Sequence, residues 1–498
     1  MSSSPQLDQR AAGVLLHPTS LPGGHGSGDL GPAADKFVDW LSAAEQRWWQ
    51  MLPVGPADTS GSPYNGDSAF AGNALLISPE GLAEMGLLTR REAKPPFAST
   101  AKVNYPRASH HRRKLLRLAF TRCTTAYKRQ IEKFRAQHAA WLDDYALFAA
   151  LRWAHDLRPW WEWDLPIRKR QKRALAAARK ELAEDTAFHV FEQWLFDRQW
   201  NALRKRCAAA DVGLIGDLPI FVAHDSADVW ANRKLFDLNT DGTAKTISGV
   251  PPDLFSKTGQ LWGHPLYRWN THAADGYAWW TARLARTFAQ FDAVRIDHFL
   301  GFNRFWATPG KHKTAMKGRW KPGPGGAFFT AVEKKLGKLP IIAEDLGILT
   351  PEAEALRDKF AFPGMRVLQF AFGDDDSYHA PHRHVPCGVS YTGTHDNHTA
   401  RGWYAAASAG EKKRLRDYAG ATRATVAWDL VRASAGSPAR LAVAPAQDIL
   451  ELPGSARMNV PGTTEGNWRW RLTPDQLNGR IAAKLRRLTR LTGRALGS

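Results

Sequence analysis

The stretch AVRIDHF (293–299) begins with apolar residues and ends with ionisable ones. A strand of this composition is typical of a parallel barrel, in which catalytic groups lie at the carboxyl ends of the strands. Arg295 and Asp297 are two residues apart and therefore point to the same face of the strand. The positive charge of Arg295 would keep the carboxylate of Asp297 ionised, as a nucleophile requires. A structural ion pair at a strand end has the same pattern, so the rest of the chain decides between the two interpretations.

Eight runs in all have the composition of buried strands. They are GVLLHPTSLP (13–22), WWQMLPVGP (48–56), LIGDLPIFV (214–222), FDAVRID (291–297), LPIIAED (339–345), MRVLQFAF (365–372), GVSYTGTHD (388–396) and ARLAVAPAQD (439–448). Helical patterns lie between the later runs. Eight strands that alternate with helices predict an α/β fold of the (β/α)8 TIM barrel type.

Two segments interrupt this alternation. One is a large, mainly helical insertion after the second strand, and the other is a smaller irregular insertion after the third. The predicted division is the first part of the barrel at 1–56, the helical insertion at 57–212, the third strand at 213–224, the smaller insertion with an aromatic loop (249–262) at 225–275, and the rest of the barrel with a C-terminal helix at 276–498.

The composition argues against several classes of protein. Hydrophobic residues make up 44% of the chain and charged residues 23%, which is ordinary for a soluble globular protein. The first residues, MSSSPQLDQRAAG, lack the apolar core of a signal peptide, and no apolar run approaches the roughly 20 residues of a membrane helix. The three cysteines, Cys123, Cys207 and Cys387, are widely spaced and favour reduced thiols. We therefore expect a cytoplasmic location and no membrane partner.

The net charge of +20 makes nucleic acid a candidate partner. The excess lies in helical-looking stretches such as RKRQKRALAAARK (168–180), which are not interleaved with aromatic residues. A solvated, arginine-rich helix face is the favoured interpretation. The 21 tryptophans are a second bias, because flat rings beside polar groups suit sugar faces, although they also fill cores. Those in or beside predicted loops are Trp48, Trp49, Trp160, Trp161, Trp163, Trp262, Trp269, Trp279 and Trp280.

Three predicted strands end in acids that can meet at one mouth of the barrel. They are Asp297 in RIDHF, Glu344 in AEDLG and Asp396 in GTHDN. Two carboxylates on either side of a scissile bond are the minimum for glycoside chemistry. Asp297 suits the ionised nucleophile, whereas Glu344 follows an apolar run (341–343), and partial burial would raise its pKa as an acid catalyst requires. A single acid could equally cap a loop or form a salt bridge, but three together favour a catalytic site.

No cofactor or metal is predicted. The histidines of HAPHRH, which are His379, His382 and His384, have no neighbouring ligand that would complete a metal site. No glycine-rich phosphate loop follows any predicted strand.

Several longer motifs occur in a fixed order along the chain. They are LLHPTSLPG, SPY with SAFAGN, GDLPIFV, GVPPD with GQLWG, RIDHF, AEDLG, GMRVLQFAF, YTGTHDN, and NVPGT with NWRWR. With these motifs, from about Gly13 to the C-terminus, the chain resembles the 4-α-glucanotransferases of the amylomaltase (disproportionating enzyme) family, glycoside hydrolase family 77. The resemblance implies a retaining transfer of α-1,4-glucan segments to the 4-hydroxyl of an acceptor glucan or glucose, through a covalent glucosyl-enzyme intermediate.

The resemblance also implies roles for individual residues. Asp297 would be the nucleophile, Glu344 the acid and then the base, and Asp396 would hold the hydroxyls of the reacting sugar. The substrate-binding residues would be Tyr64, Asp217, Arg295, His298, His395, Asp253, Phe255, Gln260, Trp262 and Asn467, and the loop 249–262 would cover the acceptor side. The implied partners are α-1,4-glucans, maltooligosaccharides and glucose, with no nucleic acid and no membrane. Monomer and dimer both remain open.

The sequence also departs from the family pattern. Asn65, Gly66, Asp67 and Ala74 differ from the commoner residues, Leu300 replaces an arginine, His264 an asparagine, and His398 an aspartate. None of these replaces a proposed catalytic group, so they bear on acceptor preference and pH dependence. Three alternatives to glucan transfer remain open, namely an α-glucan hydrolase, a catalytically silent glucan-binding scaffold and a basic nucleic-acid binder.

Overall fold

The computed structural model describes residues 6–252, 256–347 and 349–495. Its strands are β1 (Ala11–Leu15), β2 (Trp48–Gln50), β3 (Gly213–Pro219), β4 (Thr246–Val250), β5 (Gln260–Pro265), β6 (Ala293–Asp297), β7 (Arg304–Pro309), β8 (Arg319–Pro322), β9 (Ile341–Ala343), β10 (Gly364–Val367), β11 (Gly388–Tyr391) and β12 (Leu441–Pro445). Eight of them form a closed barrel in the order β1–β12–β11–β10–β9–β6–β3–β2. Every pairing between adjacent barrel strands is parallel. The predicted (β/α)8 barrel is therefore confirmed, and each of its strands overlaps one of the eight runs predicted from the sequence.

Helices connect the barrel strands and cover the outside of the barrel. They are α1 (Pro32–Ala43), α2 (Pro79–Glu84), α3 (Tyr105–Thr121), α4 (Thr125–Ala154), α5 (Leu165–Arg168), α6 (Lys172–Glu181), α7 (Ala183–Ala209), α8 (Ala227–Ala231), α9 (Trp269–Ala274), α10 (Ala278–Gln290), α11 (Gly325–Leu336), α12 (Pro351–Lys359), α13 (Ala400–Ala406), α14 (Ala409–Ala419), α15 (Val426–Gly436), α16 (Ala446–Ile449) and α17 (Gly479–Leu491). Helices α2 to α7 lie between β2 and β3, in the segment predicted to be a helical insertion. No helix among the described residues has the length and apolar character needed to span a membrane.

The segment predicted to be irregular contains two strands, β4 and β5. They join β7 and β8 in a four-stranded antiparallel sheet with the order β5–β4–β7–β8. Gly249 pairs with Leu261 and Ile247 with Pro265, so residues 262–264 lie opposite Ser248 alone. This bulge contains Gly263 at a φ of +78°, a conformation that glycine adopts without strain. The sequence did not predict this sheet, because the strands are short and the polar and glycine positions break their alternation.

Most of the tryptophans fill the core. Of the nine singled out in the sequence, seven are buried, with Trp48, Trp49, Trp160 and Trp280 at 1% exposure or less. Burying rings of this size contributes strongly to stability because each removes a large apolar area from water. Trp161 and Trp262 are the two of the nine that remain partly exposed.

Candidate active site

An ion-pair network joins the carboxyl ends of β3 and β6. Asp217 and Arg295 are direct partners in the register of the two strands. One guanidinium nitrogen of Arg295, Nη1, donates to both carboxylate oxygens of Asp217 at 2.8 Å, and Nη2 donates to Oδ1 of Asp297 at 2.9 Å. Burial by itself would lower the pKa of Arg295, but Asp217 and Asp297 outweigh it and raise that pKa well above its ordinary value. Arg295 is therefore a permanent cation between two carboxylates.

The two carboxylates beside Arg295 differ in their access to solvent. The side chain of Asp217 is 1% exposed and that of Asp297 is 31% exposed. Asp297 is the last residue of β6, so its second oxygen can face the mouth of the barrel. Of the two acids, only Asp297 is placed to reach a bound substrate.

Tyr64 connects this network to the loop that follows β11. Its hydroxyl lies 2.8 Å from Oδ2 of Asp217, to which it donates, and 2.9 Å from Nε2 of His395. Burial, followed by the negative charge of Asp217, raises the pKa of Tyr64 well above its ordinary value, so the phenol stays protonated. His395 Nε2 is also 3.3 Å from Oδ1 of Asp396. Side-chain contacts thus connect six of the predicted site residues, namely Tyr64, Asp217, Arg295, Asp297, His395 and Asp396.

Glu344 follows β9 directly and lies beside Asp297. The backbone N–H of His298 donates to Oε2 of Glu344 at 2.6 Å, and that of Leu346 donates to Oε1 at 3.1 Å. Burial is the main cause that raises the pKa of Glu344, and the charge of Asp297 acts in the same direction. Arg295 and the His298 N–H oppose this, yet the pKa is raised to about 8. Glu344 is therefore protonated at neutral pH.

The mouth of the barrel has an aromatic wall supplied by β5. Trp262, in the bulge of this strand, packs edge-on against His298 with the ring centroids 4.8 Å apart. Gln260 lies in the same strand, and its Oε1 is 3.5 Å from the indole nitrogen of Trp262. Burial lowers the pKa of His298 to about 4, so its imidazole is neutral. His264 is close enough for the charge of Asp297 to raise its pKa, but burial dominates and lowers that pKa to about 4.

The remaining predicted residues have different outcomes. Asn467 lies in a loop over the barrel mouth, where its Oδ1 accepts from the Val460 N–H at 2.9 Å and its Nδ2 donates to Thr463. Here it closes the loop 460–467, and no hydrogen bond joins it to the three acids within the described part of the chain. Asp253 and Phe255 fall outside the described residues, so their predicted binding roles stay predictions.

The sequence analysis missed two residues that hold Asp396. Asn459 donates to Oδ1 of Asp396 at 2.6 Å, and Arg457 donates to the backbone oxygen of Asp396 at 2.5 Å. Asn459 is the first residue of NVPGT, one of the motifs that the chain shares with the family. This motif was the only sequence feature that pointed to Asn459. The contact itself could not be predicted, because Asn459 and Asp396 are 63 residues apart in the sequence.

No group of three or more histidine, cysteine, aspartate or glutamate side chains in 6–252, 256–347 and 349–495 is arranged to hold a metal ion. The HAPHRH histidines make backbone and tyrosine contacts instead. Nδ1 of His379 accepts from the Val367 N–H, His384 Nε2 lies 2.8 Å from the carbonyl oxygen of His379, and His382 contacts Tyr418.

A closed parallel barrel with an accessible ion-paired carboxylate and a neighbouring protonated one at its strand ends has the site of an enzyme that acts on glycosidic bonds. Sequence comparison defines the family. The model of glycoside hydrolase family 77, 4-alpha-glucanotransferase, matches residues 16–477. The chain belongs to this family and is an enzyme of the 4-alpha-glucanotransferase type.

Individual relatives agree with this assignment over the full chain. The chain is 46% identical to a 4-alpha-glucanotransferase of Thermus thermophilus, over 97% of this chain and 99% of that one. It is 45% identical to a 4-alpha-glucanotransferase of Synechocystis sp., over 98% and 99% of the two chains. An amylomaltase from Streptococcus agalactiae, solved in complex with acarbose, superposes with a TM-score of 0.95 at 35% identity, over 98% of this chain and 100% of that one.

Proposed function

We propose that this protein transfers α-1,4-glucan segments from a donor to the 4-hydroxyl of an acceptor glucan or glucose, with retention of configuration. Asp297 is the nucleophile, Glu344 the acid and base, and Asp396 the residue that holds hydroxyls of the reacting sugar. The observation that carries the proposal is the difference between the surroundings of two neighbouring acids. Asp297 is held beside a fixed cation, whereas burial and Asp297 keep Glu344 protonated.

In the first step, the free oxygen of Asp297 attacks the anomeric carbon as the bond to the leaving glucan breaks. Glu344 gives its proton to the departing 4-oxygen, so the donor fragment leaves as a neutral hydroxyl and a covalent glucosyl-enzyme remains. Arg295 stays hydrogen-bonded to Oδ1 of Asp297, which leaves the other oxygen for the attack. Asp396, fixed by Asn459, is the third acid at this mouth and can accept hydrogen bonds from the sugar.

The second step follows from the same electrostatics. Ester formation removes the negative charge of Asp297, which is one of the causes that raise the pKa of Glu344. The pKa of Glu344 therefore falls once the intermediate forms, and Glu344, which has just lost its proton, acts as the base for the incoming hydroxyl. The acceptor oxygen then attacks the anomeric carbon, Asp297 is released and Glu344 is protonated again.

Transfer requires that a sugar hydroxyl compete with water for the intermediate. The aromatic wall of Trp262 and His298 offers apolar surface beside the site, which supports sugar binding over hydration. The expected substrates are maltooligosaccharides and longer α-1,4-glucans, with glucose as the smallest acceptor. We also propose a cytoplasmic location. The three cysteines are free thiols, and reduced thiols are typical of proteins in that compartment.

The test is incubation with maltotriose, followed by chromatography and a reducing-end assay. We expect glucose and maltooligosaccharides longer than maltotriose, with almost no net gain of reducing ends, because each transfer breaks one glycosidic bond and forms another. Reducing ends that rise in step with the loss of maltotriose would identify a hydrolase instead. No turnover, with steeply salt-dependent DNA binding, would support a nucleic-acid binder.

A further inference from the structure

Trp161 is one of the partly exposed tryptophans that the site described above does not use. It lies in the turn 160–162 between α4 and α5, and its ring stacks on the imidazole of His224. The ring centroids are 3.9 Å apart and the planes differ by 11°. Single exposed aromatic rings are common on protein surfaces, so the case for a function rests on the stacking and the position of this pair.

The pair is held in place by several specific contacts. Trp160, next to Trp161, donates from its indole nitrogen to the carbonyl oxygen of His224 at 2.8 Å and from its backbone nitrogen to Asp225 Oδ1 at 3.1 Å. Nε2 of His224 donates to the carbonyl oxygen of Gly242 at 2.9 Å. A Cβ at Gly242 would lie 2.7 Å from the Trp160 ring and 3.2 Å from Trp161 Cβ, so this close approach requires glycine. The stack is therefore rigid.

The pair lies on the same rim of the barrel as the aromatic wall of Trp262 and His298. His224 belongs to the connection between β3 and α8, at the carboxyl end of a barrel strand, where substrates bind in this fold. In this connection, the ring of Phe221 lies 6.4 Å from that of Trp262. His264 is near enough to His224 and to Asp297 for both to alter its pKa. His264 therefore interacts both with Asp297 and with His224, the ring on which Trp161 stacks.

The chemistry of the pair suits a neutral sugar. An indole face packs against the C–H face of a pyranose ring. Because Nε2 of His224 donates to a carbonyl oxygen, Nδ1 is an acceptor, and it has no hydrogen-bond partner among the described residues. Burial lowers the pKa of His224, so the imidazole is neutral at neutral pH. An aromatic face and a free acceptor match a glucosyl ring and one of its hydroxyls.

We propose that Trp161, stacked on His224, binds a glucosyl unit of a long α-1,4-glucan, farther from Asp297 than the aromatic wall of Trp262 and His298. This inference rests on the proposed transfer of α-1,4-glucans. Binding at Trp161 makes the protein a better catalyst for long glucan chains than for short ones, because a short substrate in the catalytic site does not extend to Trp161.

The test compares kcat/KM for disproportionation of maltotriose and of maltoheptaose. Losing the stacking surface in Trp161→Ala should lower kcat/KM with maltoheptaose by about tenfold and with maltotriose by far less. Trp161→Tyr, which keeps a flat ring, should recover most of the loss. Trp153→Ala is the matched control, since Trp153 is also exposed, at 48%, but packs on Arg113 in the helical segment. It should leave both values unchanged.

The outcomes separate the two proposals. Wild-type protein that fails to transfer maltotriose would refute the proposed function. If the wild type transfers maltotriose but Trp161→Ala loses activity equally with both substrates, or with neither, only the proposed glucosyl binding at Trp161 is refuted. If Trp161→Ala does not fold, Trp161→Leu takes its place, because leucine keeps apolar volume but has no ring face. A loss with maltoheptaose of the same size in Trp161→Tyr as in Trp161→Leu would also count against stacking.

Discussion

Replacing Asp297 by asparagine removes a negative charge beside Glu344 while the size of the side chain is kept. The reaction loses its nucleophile, so kcat/KM should fall by at least about 10⁴-fold. The more discriminating consequence concerns Glu344. Because Asp297 is one of the causes that raise its pKa to about 8, the substitution should lower that pKa.

The size of this change follows from the geometry. Two charges about 5 Å apart, as in a retaining pair, interact by about 3 kcal/mol at an effective dielectric of about 20. Asp297 is 31% exposed, so solvent screening reduces this to about half. An interaction of about 1.5 kcal/mol corresponds to about one pH unit. The pKa of Glu344 should therefore fall from about 8 by about one pH unit in Asp297→Asn.

The measurement is an infrared difference titration of the protonated carboxyl band. The band is assigned to Glu344 by its loss in Glu344→Gln. The control is Asp376→Asn, which removes a carboxylate whose side chain is 92% exposed and ion-paired to Arg383 in a surface loop. It should leave the titration unchanged. A pKa of Glu344 that is the same in Asp297→Asn and wild type, or activity close to wild type, would refute the assignment of this pair.

Three further predictions concern the neighbours of this pair. The folded-state pKa of Glu344 is raised above its unfolded value, so the wild type loses stability as pH rises from about 4.5 to about 8. Glu344→Gln, which cannot ionise, should therefore have a larger unfolding free energy than the wild type, by up to about 5 kcal/mol at pH 9 and by under about 1 kcal/mol at pH 5. Denaturant unfolding at the two pH values measures this difference. Arg295→Met leaves Asp217 buried without its cation and should lower the unfolding free energy by about 3–5 kcal/mol in the same assay. The double variant with Asp217→Asn should recover part of this loss, and no recovery would contradict a paired buried charge. Asn459→Ala removes the 2.6 Å hydrogen bond to Asp396 and should lower kcat by about tenfold or more while the protein still folds. An unchanged kcat would show that Asp396 does not need this hydrogen bond for its role.

The barrel and the three acids at its strand ends could be predicted from the sequence. Apolar runs of strand length that end in Asp297, Glu344 and Asp396 are local features, and the carboxyl ends of parallel barrel strands meet at one mouth. Position also made Arg295 a partner of Asp297, because residues two apart share a strand face. The antiparallel sheet that includes β4 and β5 was missed, because the bulge at 262–264 breaks the alternation on which strand prediction depends.

The accessibility of Asp297, the contacts that hold Asp396 and the partial exposure of Trp161 depend on the packing of distant segments and could not be predicted from the sequence. Asp217 and Asp297 both contact Arg295, and the difference in their exposure depends on how β3 and β6 are covered by the rest of the chain. The contact of Asn459 with Asp396 and the stack of Trp161 on His224 each join residues that are 63 positions apart. Such contacts depend on how loops fold back over the barrel. A strand's own pattern carries no information about them, because burial and pairing are properties of the packed chain.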